Sequence, residues 1–278
     1  MENIYEFLLS LQKQGIPAMT VTVVEKTGDG PVEVGKKMVV GENLTAIGTV
    51  GGGALEFFAR EKCKELIKSR TNLLERYLLN EGKVLPDTTT LPMACGGIAT
   101  LFYEYVGAKE YVYVFGAGHV GQALVAVLKT MPFHVSVIDD RQEVIAVFKG
   151  ADLLYPMPFV EFIEKQGIKP GSFVVVCTPS HHYDYHVINK ILELKLKPKY
   201  VGMLCSAKKL NEYLAKTYEA FGHDVDLSNF YSPVGLDLGG GTPAEIAISI
   251  VSEILAVSHD KTTNQHMRET THGVPRYW

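Results

Sequence analysis

The chain has 278 residues, 46% of them hydrophobic and 21% charged, enough for one large core or two ordinary ones. A formal net charge of -4, without any lysine- or arginine-rich run, excludes the electrostatic footprint of a nucleic-acid binder. No apolar run approaches the roughly 18 residues of a membrane helix, Met1 to Gly15 lacks the basic start of a signal peptide, and Cys63, Cys95, Cys177 and Cys205 stand far apart. A cytoplasmic protein without a disulfide framework or zinc ribbon is therefore expected.

In chain order, Tyr5 to Gln12 predicts a short helix, and Met19 to Val24, rich in β-branched residues, a strand. After a glycine turn at Gly28 and Gly30, Lys37 to Val40 and Leu44 to Ile47 read as short strands. A helix follows, with Leu55, Phe58, Ala59, Cys63, Leu66 and Ile67 on its apolar face. Leu73 to Leu79 and Ile98 to Val106 complete a unit of strands and one long helix without a βαβ repeat, an α+β domain over residues 1–106.

From Glu110 the texture changes. Tyr111 to Phe115, His134 to Ile138, Ser172 to Cys177 and Tyr200 to Leu204 are short apolar runs expected as buried parallel strands. Helical patterns lie between or after them at Val120 to Lys129, Gln142 to Phe148, Phe159 to Lys165, Tyr185 to Leu194 and Lys208 to Phe221. The fold class is thus α/β, a doubly wound parallel sheet over residues 107–258, with a last helix at Pro243 to Val257 and an extended or mobile tail at 259–278.

The first of these strands runs directly into Gly116-Ala-Gly118-His-Val-Gly121. In that context the three glycines do different things. Gly116 allows the tight turn, Gly118 lets a pyrophosphate approach the backbone, and Gly121 lets helix and strand pack closely. His119 would face the nucleotide cleft. Asp139, 18 residues after Gly121 at the end of the next strand, is placed to accept ribose hydroxyls, while Arg141 could instead meet a 2′-phosphate, so NAD and NADP both remain open.

Gly51, Gly52 and Gly53 join a strand to a helix, where bare backbone amides suit an anion, although a tight turn needing positive φ would also use glycine. In Met93-Ala-Cys95-Gly96-Gly97 a thiol beside two glycines could hold a soft metal or carry sulfur. His181, His182, Asp184 and His186 follow the strand ending at Cys177, where they could line a site or bind a metal. Asp237 and Glu245 bracket another glycine cluster at a helix start, where a capping role is expected.

Taken together, Gly35-Lys-Lys-Met38, Gly48-Thr-Val-Gly-Gly-Gly-Ala-Leu-Glu56, Met93-Ala-Cys-Gly-Gly97, Phe115-Gly-Ala-Gly-His-Val-Gly121 and Val137-Ile-Asp-Asp-Arg141 resemble the XdhC/CoxI family. The resemblance continues through Thr178, His181 and Asp184, then Gly202, and finally Gly235-Leu-Asp-Leu-Gly239 and Thr242 to Ala247. One departure is Gly28-Asp-Gly-Pro31-Val32, which lacks the serine and arginine usual at that turn. The resemblance implies an accessory protein that binds the molybdenum cofactor, shields it during sulfuration and delivers it to a molybdenum hydroxylase such as xanthine dehydrogenase. It also implies a homodimer and a cysteine desulfurase as sulfur donor.

The resemblance makes Gly51 to Gly53 and Cys95 to Gly97 the cofactor-binding candidates in the first domain, with Cys95 as a molybdenum contact. Gly116, Gly118, His119, Gly121, Asp139, His181 and Asp184 are the candidates in the second. The competing reading is an NAD(P)-dependent oxidoreductase, which would use the same glycine turn and need a proton donor such as His181 or Cys177.

Overall fold

A computed structural model describes residues 3–30, 32–80, 82–93, 96–108 and 110–261. The chain divides into two compact units, residues 1–109 and 110–278.

The first unit contains α1 (Ile4–Lys13), β1 (Ala18–Thr27), β2 (Lys37–Gly41), β3 (Ala46–Gly48), α2 (Gly53–Ser69), β4 (Leu73–Leu78), β5 (Thr89–Thr90) and β6 (Ile98–Val106). Its sheet has the order β3-β2-β1-β6-β4-β5, antiparallel except for the β4–β5 pair. β3 starts later than the apolar run from Leu44 predicts, because Leu44 sits in the turn with φ 65° and its amide donates to Gly41 O.

α2 covers the sheet with Leu55, Ala59, Cys63, Leu66 and Ile67, all buried. Phe58, expected on that face, is 39% exposed and stands edge-on to Phe57 at 5.6 Å. The reason is angular, since at 100° per residue Phe58 falls about 60° outside the stripe that begins at Leu55.

The second unit is the expected doubly wound sheet. Its strands are β7 (Glu110–Phe115), β8 (Phe133–Asp139), β9 (Leu153–Pro156), β10 (Phe173–Val176), β11 (Tyr200–Met203) and β12 (Phe230–Tyr231). The helices are α3 (His119–Leu128), α4 (Gln142–Val147), α5 (Phe159–Lys165), α6 (His181–Glu193), α7 (Ala207–Phe221) and α8 (Pro243–Ser258). Every strand pair is parallel, in the order β12-β11-β10-β7-β8-β9.

That order reverses between β7 and β10, which makes the crevice beyond their carboxyl ends the topological switch point. β10 and β11 are buried at every position, as strands covered on both faces must be. α8 packs against α3, and Leu124, Val125 and Leu128 share one core with Ala247, Ile250, Val251 and Ile254. The expected tail falls outside the described residues from 262 onward.

Candidate functional site

The turn from β7 into α3 has the geometry its three glycines predict. Gly116 has φ 119°, and a Cβ there would strike the Cys177 carbonyl oxygen at the end of β10. A Cβ on Gly121 would strike the Gly116 carbonyl oxygen, so the first turn of α3 lies directly on the strand end. Gly118 differs: a Cβ there meets nothing within 4 Å, and no side chain caps α3, so open space lies over an N-terminus whose amides point outward. His119 is exposed at the same turn.

Asp139, expected to receive a ribose, is fully buried. Its Oδ2 accepts from the Ala117 amide at 2.8 Å and Arg141 Nη2 at 2.7 Å, and its Oδ1 accepts from Arg141 N at 3.1 Å and Nε at 2.8 Å. Burial by itself would raise its pKa, but the bonds from Arg141 and Ala117 outweigh it and hold the carboxyl below the usual range. The structure thus places Asp139 under the glycine turn as its brace, with Arg141 engaged in the same pair. The exposed carboxylate at this strand end is Asp140, which spacing alone did not single out.

Asp184 is also turned inward. It is 1% exposed and accepts from Thr178 N at 3.1 Å and Thr178 Oγ1 at 2.6 Å, which fastens the β10–α6 turn. The side chain of His181, at the start of α6, lies outside the described residues. Burial, with the Asp184 and Asp139 charges adding, pushes the Cys177 thiol up to about 12, and its Sγ donates to Gly116 O at 3.7 Å. Such a thiol is a poor proton donor.

In the first unit Gly51, Gly52 and Gly53 all have positive φ, at 131°, 78° and 60°. A Cβ on Gly52 or Gly53 meets nothing within 4 Å, so the backbone conformation rather than crowding calls for glycine, and α2 begins there without a side-chain cap. Thr49 links the loop to the helix, accepting from Gly51 N at 3.1 Å and donating to Glu56 Oε2 at 2.6 Å.

Gly96, with φ 76°, and Gly97 lie against the Gly28 turn. A Cβ on Gly97 would strike Asp29 O and come within 3.0 Å of Thr27 O, so the two loops interlock through their backbones. Cys95, between Met93 and these glycines in sequence, lies outside the described residues. Val32 and Val50, from the loops after β1 and β3, are buried in one cluster against which Met93 packs.

The third glycine run is already satisfied. Glu245 accepts from Gly241 N, Thr242 N and Thr242 Oγ1, and Thr242 accepts from Glu245 N, a full capping box at the start of α8. These bonds, the Thr242 backbone bond foremost, bring Glu245 down to about 2.

Residues 112–254 match the family described as the XdhC Rossmann domain, and residues 11–77 the XdhC and CoxI family. The uncharacterized protein YqeB of Escherichia coli (strain K12) is 26% identical over 262 residues, covering 93% of this chain and 47% of that protein. A probable xanthine dehydrogenase subunit from Bacillus subtilis (strain 168) is 30% identical over 157 residues, covering 56% of this chain and 45% of its own. The chain thus spans about half the length of these curated relatives. A crystal structure of a xanthine dehydrogenase from Bacillus halodurans shares the fold, with a TM-score of 0.50, 19% identity and coverage of 97% of this chain and 100% of that one.

Proposed function

The chain belongs to the XdhC and CoxI family, and from that membership we propose that it is an accessory protein that binds the molybdenum cofactor and hands it, once sulfurated, to a molybdenum hydroxylase of the xanthine dehydrogenase kind. One observation carries the binding step. Gly118 opens onto free space at an uncapped helix N-terminus beside the switch point, where a phosphate-bearing ligand finds backbone amides and partial positive charge.

What supports the reading, in each unit taken by itself, is uncapped backbone that suits an anion such as the cofactor's phosphate: the start of α3 at His119 and Val120 in the second unit, and the positive-φ loop Gly51 to Gly53 in the first. Cys95 is the proposed soft contact to molybdenum, and a cysteine desulfurase the proposed sulfur donor. The bound cofactor would supply the metal chemistry, while this chain binds it and keeps it from water. A homodimer in the cytoplasm is the proposed setting.

The second reading is a nicotinamide-dependent oxidoreductase, favoured by the same glycine turn. Its proposed donor Cys177 is held as a neutral thiol, which weakens it. Anaerobic purification of the full chain from cells that make molybdenum cofactor, followed by mass spectrometry and metal analysis, separates the two. Bound pterin and molybdenum are expected. An empty protein that binds NAD or NADP tightly would reverse the choice.

A further inference from the structure

The imidazoles of His182 and His186 stand one turn apart on α6, both exposed, with ring centroids 4.1 Å apart and planes at 60°. Asp184, between them in sequence, is folded inward onto Thr178. The helix makes this division: residues i and i+4 share a face, and the residue midway lies on the other side. Four ring nitrogens on one short stretch of surface thus have no hydrogen-bond partner among the described residues.

We propose that His182 and His186 form a two-imidazole chelate for a borderline divalent cation such as zinc or nickel. Imidazole is a preferred ligand of these ions, whereas magnesium and calcium take oxygen donors. With zinc–nitrogen bonds of about 2.0 Å and a tetrahedral angle, two rings on one ion have centres about 5.2 Å apart. The observed 4.1 Å separation therefore needs an opening of about 1 Å between two solvent-exposed side chains.

The position gives the chelate a use. α6 begins straight after β10, the strand beside β7 and its glycine turn, so the ion would stand at the carboxyl edge of the sheet. Two protein ligands leave coordination positions open, as sites that meet an exogenous ligand do. Among the described residues no third histidine, cysteine or carboxylate completes a metal cluster, so water or an anionic ligand would fill them. The inference does not depend on the identity of the cofactor.

The test uses the full chain without an affinity tag, stripped with a chelator and titrated calorimetrically with zinc(II) and with nickel(II), alongside His182→Ala and His186→Ala. Both side chains are exposed, and unchanged melting curves would show that the variants fold. One ion per chain for the parent, released by either substitution, is expected. No binding by the parent, or an ion retained by either variant, would overturn the proposal.

Discussion

Arg141 folds back onto Asp139 and grips its carboxylate through Nε and Nη2 at 2.8 and 2.7 Å, while the same carboxylate takes the Ala117 amide. The end of β8 is thereby tied to the glycine turn that follows β7. Asp139→Asn should cost about 3 kcal/mol, since it leaves a partly buried guanidinium without its charge partner. Because the native carboxyl titrates below its ordinary value, this stabilisation is complete above about pH 4 and is lost as pH falls through the lower native value. Urea melts at neutral and acid pH should show the variant and the parent converging in acid.

Gly118 and Gly121 should separate binding from folding. Gly118→Val adds a side chain in open space at φ -74°, so stability should hold while the ligand phosphate loses its place. Gly121→Val drives a Cβ into the Gly116 carbonyl and should cost about 1–3 kcal/mol or more. Thermal melts paired with equilibrium binding of the cofactor and of NAD would read both. If Gly118→Val still bound either ligand as the parent does, the glycine turn would not be the phosphate site.

His134 supplies a pH dependence of the opposite kind of group. Both ring nitrogens are buried without a hydrogen-bond partner among the described residues. Burial pushes its pKa below 6.5, with Asp152 opposing and Lys129 and Lys169 assisting. The unfolded chain therefore takes up a proton that the native one refuses, so stability is complete above about pH 6.5 and falls as pH drops toward the native value. The slope is at most about 1.4 kcal/mol per pH unit. His134→Phe should flatten it in denaturant titrations between pH 5 and 7.

Gly97→Ala and Cys95→Ala should behave differently. The alanine Cβ at 97 would meet Asp29 O, so the loops at Gly28 and Gly96 must part and the first unit should lose about 1–3 kcal/mol. Cys95→Ala should leave stability nearly unchanged but reduce the molybdenum that copurifies. Equal retention by Cys95→Ala and the parent would remove that thiol from the site.

The parallel sheet was legible because β10 and β11 are apolar and buried throughout, β7 and β8 are buried at all but one position each, and the glycine fingerprint opens a helix. The two-residue strands β5 and β12 were not, since so short a run has no period and exists only through its neighbours. Among the site residues, spacing placed Asp139 at its strand end, but Asp184 lies inside the first turn of α6, which begins earlier than the pattern from Tyr185 predicts, and spacing did not give the direction of either carboxylate. That direction depends on partners, the Ala117 amide and Thr178, which only the folded chain brings within reach. The sequence presents His182 and His186 together as possible metal ligands, but their place on one face follows from α6 starting at His181 rather than at Tyr185.

The packing of α8 on α3 bears on the order in which the protein is made. Ile250, Val251 and Ile254 complete the core around Leu124, Val125 and Leu128, yet they are synthesised more than a hundred residues later. Until they leave the ribosome, the face of α3 that they cover is a bare apolar surface. The nascent Rossmann unit therefore matures in one late step, and a ribosome stalled before residue 254 would release a chain that chaperones and proteases recognise as unfinished.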